Sequence, residues 1–387
     1  MDGKCQIQGW VALPRAKTKN VKTTKPIICF LVALVLASCG AADRGGGGTA
    51  RTAETEALLS GLSSSLSQGI MYGHHDDSVY GHGWKFEDGR SDVKSVCGDY
   101  PAVISFDLGE LELGTGLSID EVPFEKIRQE AVRQYERGGL VSFSWHPRNP
   151  RTGGDAWDLS DSSVVENVLP GGDCHEKFSG WLASVAEFIS SVKTADGTKV
   201  PILFRPWHEH TGSWFWWGHD LCTTEQYKAL WTMTVDSLAA HGVNNVLYAY
   251  SPGTEPTTPE EYLERYPGDE IVSVLGFDCY QFGSGSEAYT ANMERMISLV
   301  ETVAGEHGKI PAVTETGYES IPDPEWWTGT LLPVLKGHTL AYVLTWRNAH
   351  DKDTHFYGPF PGHPCEQDFV AFHDDPLTLF ADDVNLY

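Results

Sequence analysis

The segment Arg205–Gly218 concentrates residue types that could act on sugars. It follows the apolar run Val200–Phe204, which predicts a buried strand, so its polar side chains emerge where that strand ends. Glu209 lies between two histidines and is followed, within eight residues, by four large aromatic side chains. Apolar rings raise the pKa of a neighbouring carboxyl group by desolvation, as a general acid requires. Flat aromatic rings also pack against the apolar faces of sugar rings, so the segment indicates carbohydrate chemistry.

A second carboxylate, Glu315, follows the apolar run at residues 312–314 and is flanked by Thr314 and Thr316. A retaining glycosidase needs two carboxyl groups about 5–5.5 Å apart, one as the nucleophile and one as the acid/base. Their surroundings must differ so that their pKa values separate. Glu209, among aromatic rings, suits the protonated partner, and the hydroxyl groups beside Glu315 are expected to keep it ionised.

Strand-like apolar runs recur along the chain, with helical patterns between them. The eight runs are 70–72, 102–106, 140–144, 202–204, 246–250, 271–277, 312–314 and 341–344. Strands that alternate with helices pair in parallel, and eight such units predict an α/β fold, a (β/α)8 TIM barrel with a single catalytic domain. A doubly wound open sheet is the alternative. In a barrel, the strands that precede Glu209 and Glu315 lie across the mouth from one another.

Three helical patterns carry their own boundary signals. An apolar stripe begins at Phe124, and Ser118 with Glu121 predicts a capping box before it. A second stripe covers 178–189, and a third opens at Thr223.

The bulk composition excludes some partners. The chain has 387 residues, 13 of them Trp, and a formal net charge of −25. That charge argues against nucleic acid or an anionic membrane surface as the partner and is compatible with a neutral polysaccharide.

The N-terminus has the pattern of an export signal. An apolar run too short to span a bilayer ends in Leu36–Gly40, which resembles a bacterial lipobox with Cys39 as the lipidated residue. We therefore predict a signal peptide with a long leader over residues 1–38, a lipidated flexible tether over 39–55 and the catalytic domain over 56–387. The predicted location is that of an exported lipoprotein, at the outer membrane surface or in the periplasm, with the lipid as its membrane contact.

Five cysteines follow the predicted anchor, and none forms a CxxC pair, so a structural zinc site is not expected. Cys174 and Cys222 could bridge two loops on one face.

Four segments carry a resemblance to glycoside hydrolase family 26, whose commonest members are β-mannanases. They are Tyr72–Asp77, Trp145–Pro147, Arg205–Gly218 and Thr345–Asn348, and the resemblance covers residues 56–380. It implies a monomeric retaining enzyme without cofactor or metal that cleaves β-1,4-mannosidic bonds in mannan, galactomannan or glucomannan. His208 stands before Glu209, where related families usually have Asn, and this exchange is typical of family 26.

The resemblance also implies roles for individual residues. Glu209 would be the general acid/base and Glu315 the nucleophile, with Tyr280 hydrogen-bonded to it. Trp214 would stack on the leaving-group sugar, and Trp346 would form the floor of the cleaving subsite. The predicted sugar-binding residues are His146, His208, Trp214, Tyr280, Trp346, Arg347, Trp157 and Glu112.

The more distant contacts are implied in the same way. Arg347 and His146 would bind sugar hydroxyls on the non-reducing side, and Trp157 and Glu112 would line outer subsites. His75 stands where relatives often have Gln, which leaves its role open.

Three alternatives stay open on the sequence. The first is a related activity on mixed-linkage β-glucan or β-1,3-xylan. The second is a metal-dependent hydrolase that uses His208 and His210 as ligands, and the third is a non-catalytic glycan-binding lipoprotein. The segment His74–Asp77 has the composition of a metal site, but we interpret it as a hydrogen-bonded brace for the loops. One of Trp216 and Trp217 is expected to pack the base of its loop.

Overall fold

The computed structural model describes residues 50–387, and a curled parallel sheet lies at its centre. The strands are β1 Ile70–His75, β2 Tyr80–Gly81, β3 Trp84–Lys85, β4 Val103–Asp107, β5 Leu140–Ser144, β6 Ile202–Arg205, β7 Val246–Tyr250, β8 Val272–Leu275, β9 Asp278–Gln281, β10 Ile310–Pro311, β11 Val313–Tyr318, β12 Tyr342–Thr345 and β13 Thr378–Leu379. β2 and β3 form a separate antiparallel hairpin, and β13 pairs with β1.

Helices follow most of the sheet strands. They are α1 Ala53–Ser65, α2 Asp92–Cys97, α3 Phe124–Glu136, α4 Val164–Val168, α5 His175–Ser191, α6 Thr224–Ala240, α7 Pro259–Leu263, α8 Glu287–His307, α9 Leu332–Leu335 and α10 Glu366–His373. Among these described elements, no helix combines the length and the apolar character needed to cross a bilayer.

The sheet closes into a barrel. Its strands pair in the order β10-β8-β7-β6-β5-β4-β1-β12-β11-β9. β8 and β9 are separated only by residues 276–277, and β10 and β11 only by Ala312, so each pair is one interrupted strand of the barrel. These two interrupted strands pair twice, through β8 with β10 and through β9 with β11, and the ring is complete. The predicted (β/α)8 barrel is confirmed, and the open doubly wound sheet is wrong.

The interruption after β8 is a feature that the apolar run 271–277 did not predict. Gly276 lies there, and a Cβ at this position would sit 2.5 Å from Cγ2 of Thr314 on β11. The lack of a side chain therefore lets the two interrupted strands approach closely where the chain turns toward the mouth of the barrel.

Side chains alternate along each strand between the barrel interior and the layer beneath the helices. On β6, Leu203 belongs to an inner cluster with Leu247 of β7, whereas Ile202 and Phe204 pack in the outer layer. This alternation explains why each strand appears in the sequence as an uninterrupted apolar run.

Helix α1 covers the end of the barrel at which the strands begin. The N–H of Thr52, its N-cap residue, donates to the carbonyl of Asn244 just before β7 at 3.1 Å. Leu58 and Leu62 of this helix join the inner cluster. Residues 53–55, assigned above to the tether, belong to α1. The predicted signal peptide, the lipidation site and the rest of the tether up to residue 49 lie outside the described residues.

Two local predictions are corrected. The capping box is wrong, because α3 begins only at Phe124 and the Ser118 hydroxyl accepts the N–H groups of the preceding turn instead. Pro123 disfavours helical backbone at the residue before it, so the helix cannot start earlier. Cys174 and Cys222 are free thiols and form no bridge.

Candidate active site

The C-terminal ends of the barrel strands surround a cavity of about 430 Å³. The residues that line it are His146, Trp157, His208, Glu209, Trp214, Phe215, Tyr280, Gln281, Phe282, Gly283, Glu315, Tyr318, Glu319, Trp346 and Tyr357. Eight of the ten predicted catalytic and sugar-binding residues are among them. Arg347 and Glu112 are not.

Glu209 and Glu315 approach each other at the centre of this cavity. Glu209 follows β6, and Glu315 lies on β11. A carboxylate oxygen of each lies within 4.8 Å of the other. This separation is close to the roughly 5–5.5 Å of retaining glycosidases and well below the roughly 6.5–9.5 Å of inverting ones.

The backbone around Glu209 is unusual and firmly held. Glu209 has φ 53° and Trp207 has φ 57°, a left-handed conformation that costs a non-glycine residue about 1–2 kcal/mol. The N–H of Glu209 donates to the Ser251 carbonyl at 2.8 Å, and the Trp217 indole donates to the His208 carbonyl at 2.9 Å. These bonds keep the carboxyl group aimed into the cavity.

The side chain of Glu209 has the surroundings of a general acid. Burial raises the pKa of Glu209 to about 7, and the nearby charge of Glu315 acts in the same direction. The Trp214 indole N–H donates to Oε2 at 2.6 Å. Since that oxygen already accepts a hydrogen bond, the acidic proton is left to Oε1.

Glu315 is surrounded by donors. The guanidinium of Arg205, which is 2% exposed, donates to Oε1, and the Tyr280 hydroxyl donates to Oε2 at 2.7 Å. Arg205 also donates to Asp278 at 2.8 Å, so one buried arginine joins two carboxylates. Such charge-assisted bonds stabilise the negative charge and fix the direction of the carboxylate.

The threonines beside Glu315 do not contribute the hydroxyl groups that were predicted. Thr314 donates to the Asp278 carboxylate at 2.7 Å, and Thr316 donates to a backbone carbonyl. Neighbouring side chains on a strand point to opposite faces, so both turn away from Glu315. The sequence analysis missed Arg205, although a charged residue at the end of a buried strand was the available signal.

A chain of three side chains reaches the cavity from β4 and β5. Asp107, which accepts the Ser144 hydroxyl at 2.6 Å, also accepts His146 Nδ1 at 2.6 Å. Nε2 of His146 lies 3.1 Å from Nε2 of His208. Burial alone lowers the pKa of His146, but the charge of Asp107 raises it above its ordinary value. Burial and the charge of Arg205 lower the pKa of His208. The proton therefore resides on His146, and His208 stays neutral.

Aromatic rings form the walls of the cavity. Trp346 stacks on His75 with ring centroids 4.0 Å apart, and Trp157 stacks on His146 at 5.3 Å. Trp214 and Trp157 are 40% and 46% exposed, which leaves their faces open to a ligand. Trp216 and Trp217, in contrast, are both fully buried, so both pack the base of the loop where one was expected to.

Arg347 and Glu112 do not line this cavity, and their predicted contacts with more distant sugar units stay predictions. Arg347 pairs with Asp120 at 2.8 Å and donates to the Tyr80 hydroxyl at 3.3 Å. Glu112 accepts the backbone N–H of Arg148 at 2.7 Å. Arg347 is thus paired with the loop after β4, and Glu112 with the loop after β5.

The same geometry bears on the metal-dependent alternative. His210 contacts the Tyr250 hydroxyl at 3.0 Å while His208 faces His146, so the two imidazoles do not converge. Among the described residues, two sets of three potential ligands lie within 4.8 Å of one another: His75 with Asp76 and Asp120, and Glu209 with Asp278 and Glu315. Arg347 contacts Asp120 of the first set, and Arg205 contacts Asp278 of the second. An arginine inside each set disfavours a cation.

Solved structures resemble the whole domain. A GH26 β-mannanase from Bacteroides ovatus shares 55% sequence identity and superposes with a TM-score of 0.86, covering 87% of this chain and 98% of that one. GH26C from Muricauda sp. MAR_2010_75 shares 31% identity with a TM-score of 0.80, over 86% and 93% of the two chains.

Curated relatives are longer proteins. A mannan endo-1,4-β-mannosidase of Bifidobacterium adolescentis is 33% identical over 360 residues, which are 87% of this chain and 35% of the relative. One from Thermothelomyces thermophilus is 29% identical over 65% of this chain and 48% of its own length. The chain thus spans between a third and a half of these relatives. Residues 49–329 match the family model for Glycosyl hydrolase family 26, and with these identities it follows that the chain belongs to that family.

Proposed function

We propose that this protein is a retaining mannan endo-1,4-β-mannosidase acting on mannan, galactomannan or glucomannan. The observation that carries the proposal is the approach of Glu209 and Glu315 within 4.8 Å in a cavity lined with aromatic rings. The choice of mannan is supported by the names of the relatives.

In the first step Glu315 attacks the anomeric carbon while the bond from that carbon to the bridging oxygen breaks. Glu209 gives its proton to the departing oxygen, so the leaving sugar departs as a neutral alcohol. Arg205 and Tyr280 hold Glu315 in the direction of attack.

In the second step Glu209 acts as the base. It takes a proton from water, whose oxygen attacks the anomeric carbon and releases Glu315 as a free carboxylate. Two displacements on the same carbon leave its configuration unchanged.

His146, His208 and Trp346 bind the sugar whose bond is cleaved. The charged His146 ring donates to Asp107 and to Nε2 of the neutral His208 and so fixes the His208 ring beside the sugar, while the indole of Trp346 supports the sugar ring. Trp214 stacks on the leaving-group sugar, and Trp157 contacts a more distant unit.

The test is product analysis on mannan, galactomannan, lichenan and β-1,3-xylan, by mass and by NMR of the anomeric proton in the first minutes. We expect the new reducing ends of products from mannan-type substrates to be β-anomers, because configuration is retained. An α-product would overturn the double displacement, and a preference for lichenan or β-1,3-xylan would move the assignment to another activity of the family.

Glu209→Ala tests the acid directly. It is expected to lower kcat on mannan by about 10²–10⁴-fold. Glu306→Ala, an exposed carboxylate on α8, is the matched control and should retain wild-type activity. Because Glu209 must be protonated and its pKa is about 7, wild-type kcat/KM falls as the pH rises through 7. A variant that cleaves like wild type would show that Glu209 is not the acid, and a wild-type protein that binds mannan without cleaving it would leave a glycan-binding protein as the better interpretation.

Export and anchoring form a separate part of the proposal. The basic segment, the short apolar run and Cys39 support a lipoprotein that works as a monomer at the outer membrane surface or in the periplasm. Mass spectrometry of the N-terminal peptide of the wild type and of Cys39→Ala tests it, and an unmodified Cys39 in membrane-fraction protein would contradict it.

A further inference from the structure

Arg265 is a buried charge that the proposed reaction does not use. It follows α7 and is 4% exposed. Within residues 50–387, its hydrogen bonds go to two backbone carbonyls and a sulfur atom and none to a carboxylate, and its Nε has no partner. Burying a charge without an opposite charge is costly, because hydrogen bonds must compensate for the lost water. The contacts that Arg265 makes therefore indicate its role.

These contacts hold the loop between β6 and α6, which carries the proposed acid. Nη2 of Arg265 donates to the His219 carbonyl at 2.8 Å and to the Cys222 carbonyl at 2.7 Å. The guanidinium also lies 5.5 Å from the centroid of the Tyr227 ring, within the range of a cation–π contact. Arg265 thus fixes the end of this loop from a neighbouring segment of the chain.

Backbone hydrogen bonds connect this clamp to the acid. The N–H of His219 donates to the Gly212 carbonyl at 2.8 Å, and the N–H of Gly212 donates to the Glu209 carbonyl at 3.0 Å. The Trp214 indole lies against Gly212, where a Cβ would overlap the ring, and its N–H donates to Oε2 of Glu209 at 2.6 Å. Arg265 therefore holds the segment that keeps Trp214 beside Glu209.

The ring under the guanidinium supports the same loop at its other end. The Tyr227 hydroxyl donates to the Trp207 carbonyl at 2.7 Å, and Trp207 is one of the two left-handed residues that aim the acid. The His210 ring stacks on Tyr227 with centroids 4.5 Å apart. Arg265 and Tyr227 together fix both ends of the loop.

We propose that Arg265 is a positioning residue for the acid/base, because it holds the loop in the arrangement in which the Trp214 indole is hydrogen-bonded to Glu209. The inference rests on the proposed function. Arg265 lies outside the cavity, so it acts only through the loop. Without this clamp Trp214 leaves its position for part of the time, and Glu209 loses the bond that leaves its proton on Oε1. Protonation of the leaving group then becomes less efficient, whereas attack by Glu315 is unaffected.

The experiment measures kcat/KM of the wild type and of Arg265→Met on aryl β-mannobiosides that range from 2,4-dinitrophenyl to phenyl. Dinitrophenolate departs without a proton, whereas phenolate needs one from the acid. We expect Arg265→Met to match the wild type on the dinitrophenyl substrate and to lose about tenfold on the phenyl substrate. Glu209→Ala is the positive control and should show the same pattern with a larger loss.

Two further arginine variants separate position from folding. Arg265→Lys keeps the charge but replaces the planar fork by a single ammonium group, so we expect about a two- to fivefold loss on the phenyl substrate alone. Its result decides the question if Arg265→Met does not fold. Arg295→Met is the matched control, because Arg295 donates to the Thr254 carbonyl at 2.6 Å in the loop after β7, which does not carry the acid. It should leave the dependence on the leaving group unchanged.

Trp214→Phe tests the route by which Arg265 acts, because it keeps an aromatic ring and removes the N–H donor. If Arg265 acts through the indole bond, adding Arg265→Met to Trp214→Phe should lower kcat/KM on the phenyl substrate by less than a further twofold. Full additivity, an equal loss on all leaving groups, or no loss would overturn this inference while leaving the proposed function intact. A wild-type protein that cleaves no β-mannoside would overturn both.

Discussion

Two clusters of histidine and carboxylate side chains lie at the mouth of the barrel, and only one of them lines the central cavity. The cluster after β6 contains His208 and Glu209, and its groups line a cavity. The cluster at the end of β1 contains His75, Asp76 and Asp77, each at most 2% exposed. Within residues 50–387, both ring nitrogens of His75 and one oxygen of each aspartate have no hydrogen-bond partner.

The difference between them teaches that residue types alone do not make a catalytic centre. Asp76 accepts the Tyr80 hydroxyl at 2.7 Å, and the arginine closest to this cluster is bound to Asp120. His75 supports Trp346 from behind by stacking on it. The β1 cluster therefore builds the wall of the site, whereas the β6 cluster acts inside it.

The largest effect should come from removing Glu315, the proposed nucleophile on β11, whose carboxylate lies within 4.8 Å of that of Glu209 in the β6 cluster. Glu315→Ala is expected to lower kcat on mannan by about 10⁴-fold or more, because no other group can form the ester. Sodium azide should restore turnover and yield the α-mannosyl azide, identified by NMR. Asp76→Asn is the counterpart in the β1 cluster and should change kcat less than tenfold. A similar loss in both variants would contradict the distinction.

Breaking the β1 cluster should act on stability instead. Arg347→Met leaves Asp76 and Asp120 without their positive partner in a mostly buried place and is expected to destabilise the fold by about 3 kcal/mol. Urea unfolding measures this change. Arg51→Met, which removes an exposed ion pair with Glu56, should cost less than about 1 kcal/mol. Equal midpoints for both variants would refute the structural role.

Asp107 contacts the β6 cluster indirectly, because it binds His146, which in turn contacts His208. Asp107→Asn keeps the shape but removes the charge that opposes burial most strongly, so the pKa of His146 falls. We expect kcat/KM on mannotetraose to drop about tenfold, the scale of one lost charge-assisted bond. NMR titration of the His146 ring is the second readout. An unchanged titration would show that Asp107 does not set the charge of His146.

A last prediction uses the pH dependence of stability to test the β1 cluster. Burial raises the pKa of Asp77 to about 7, well above its unfolded value. Between pH 4 and 7 the unfolded chain ionises this group first, so this contribution to stability is present at low pH and lost as the pH rises through 7. Asp77→Asn should therefore be more stable than wild type by about 4 kcal/mol at pH 8 and equal to it near pH 4. A difference in unfolding free energy between the two proteins that does not vary with pH would contradict the raised pKa of Asp77.

The barrel was predictable because each barrel strand is buried on both faces and appears as an apolar run. Helix α6 was predictable as well, since Thr223 and Gln226 form a capping box that local sequence reveals. Both are properties of consecutive residues, which a sequence displays directly.

Long-range pairings were not predictable in this way. Arg205 joins Glu315 to Asp278, although Arg205 and Glu315 are 110 positions apart in the sequence. This contact depends on how the strands are arranged around the barrel. The pairing of Arg347 with Asp120 was not predictable for the same reason, because Asp120 lies on a distant loop. The predicted anchor at Cys39 stays a prediction.

The left-handed backbone at Glu209 makes the proposed activity and the stability of the fold conflicting requirements. Glycine or asparagine would fit that conformation with less strain than glutamate does. A homologue that no longer needed the acid would therefore become more stable by replacing Glu209. The residue proposed as the acid is also one that selection for thermal stability alone would replace.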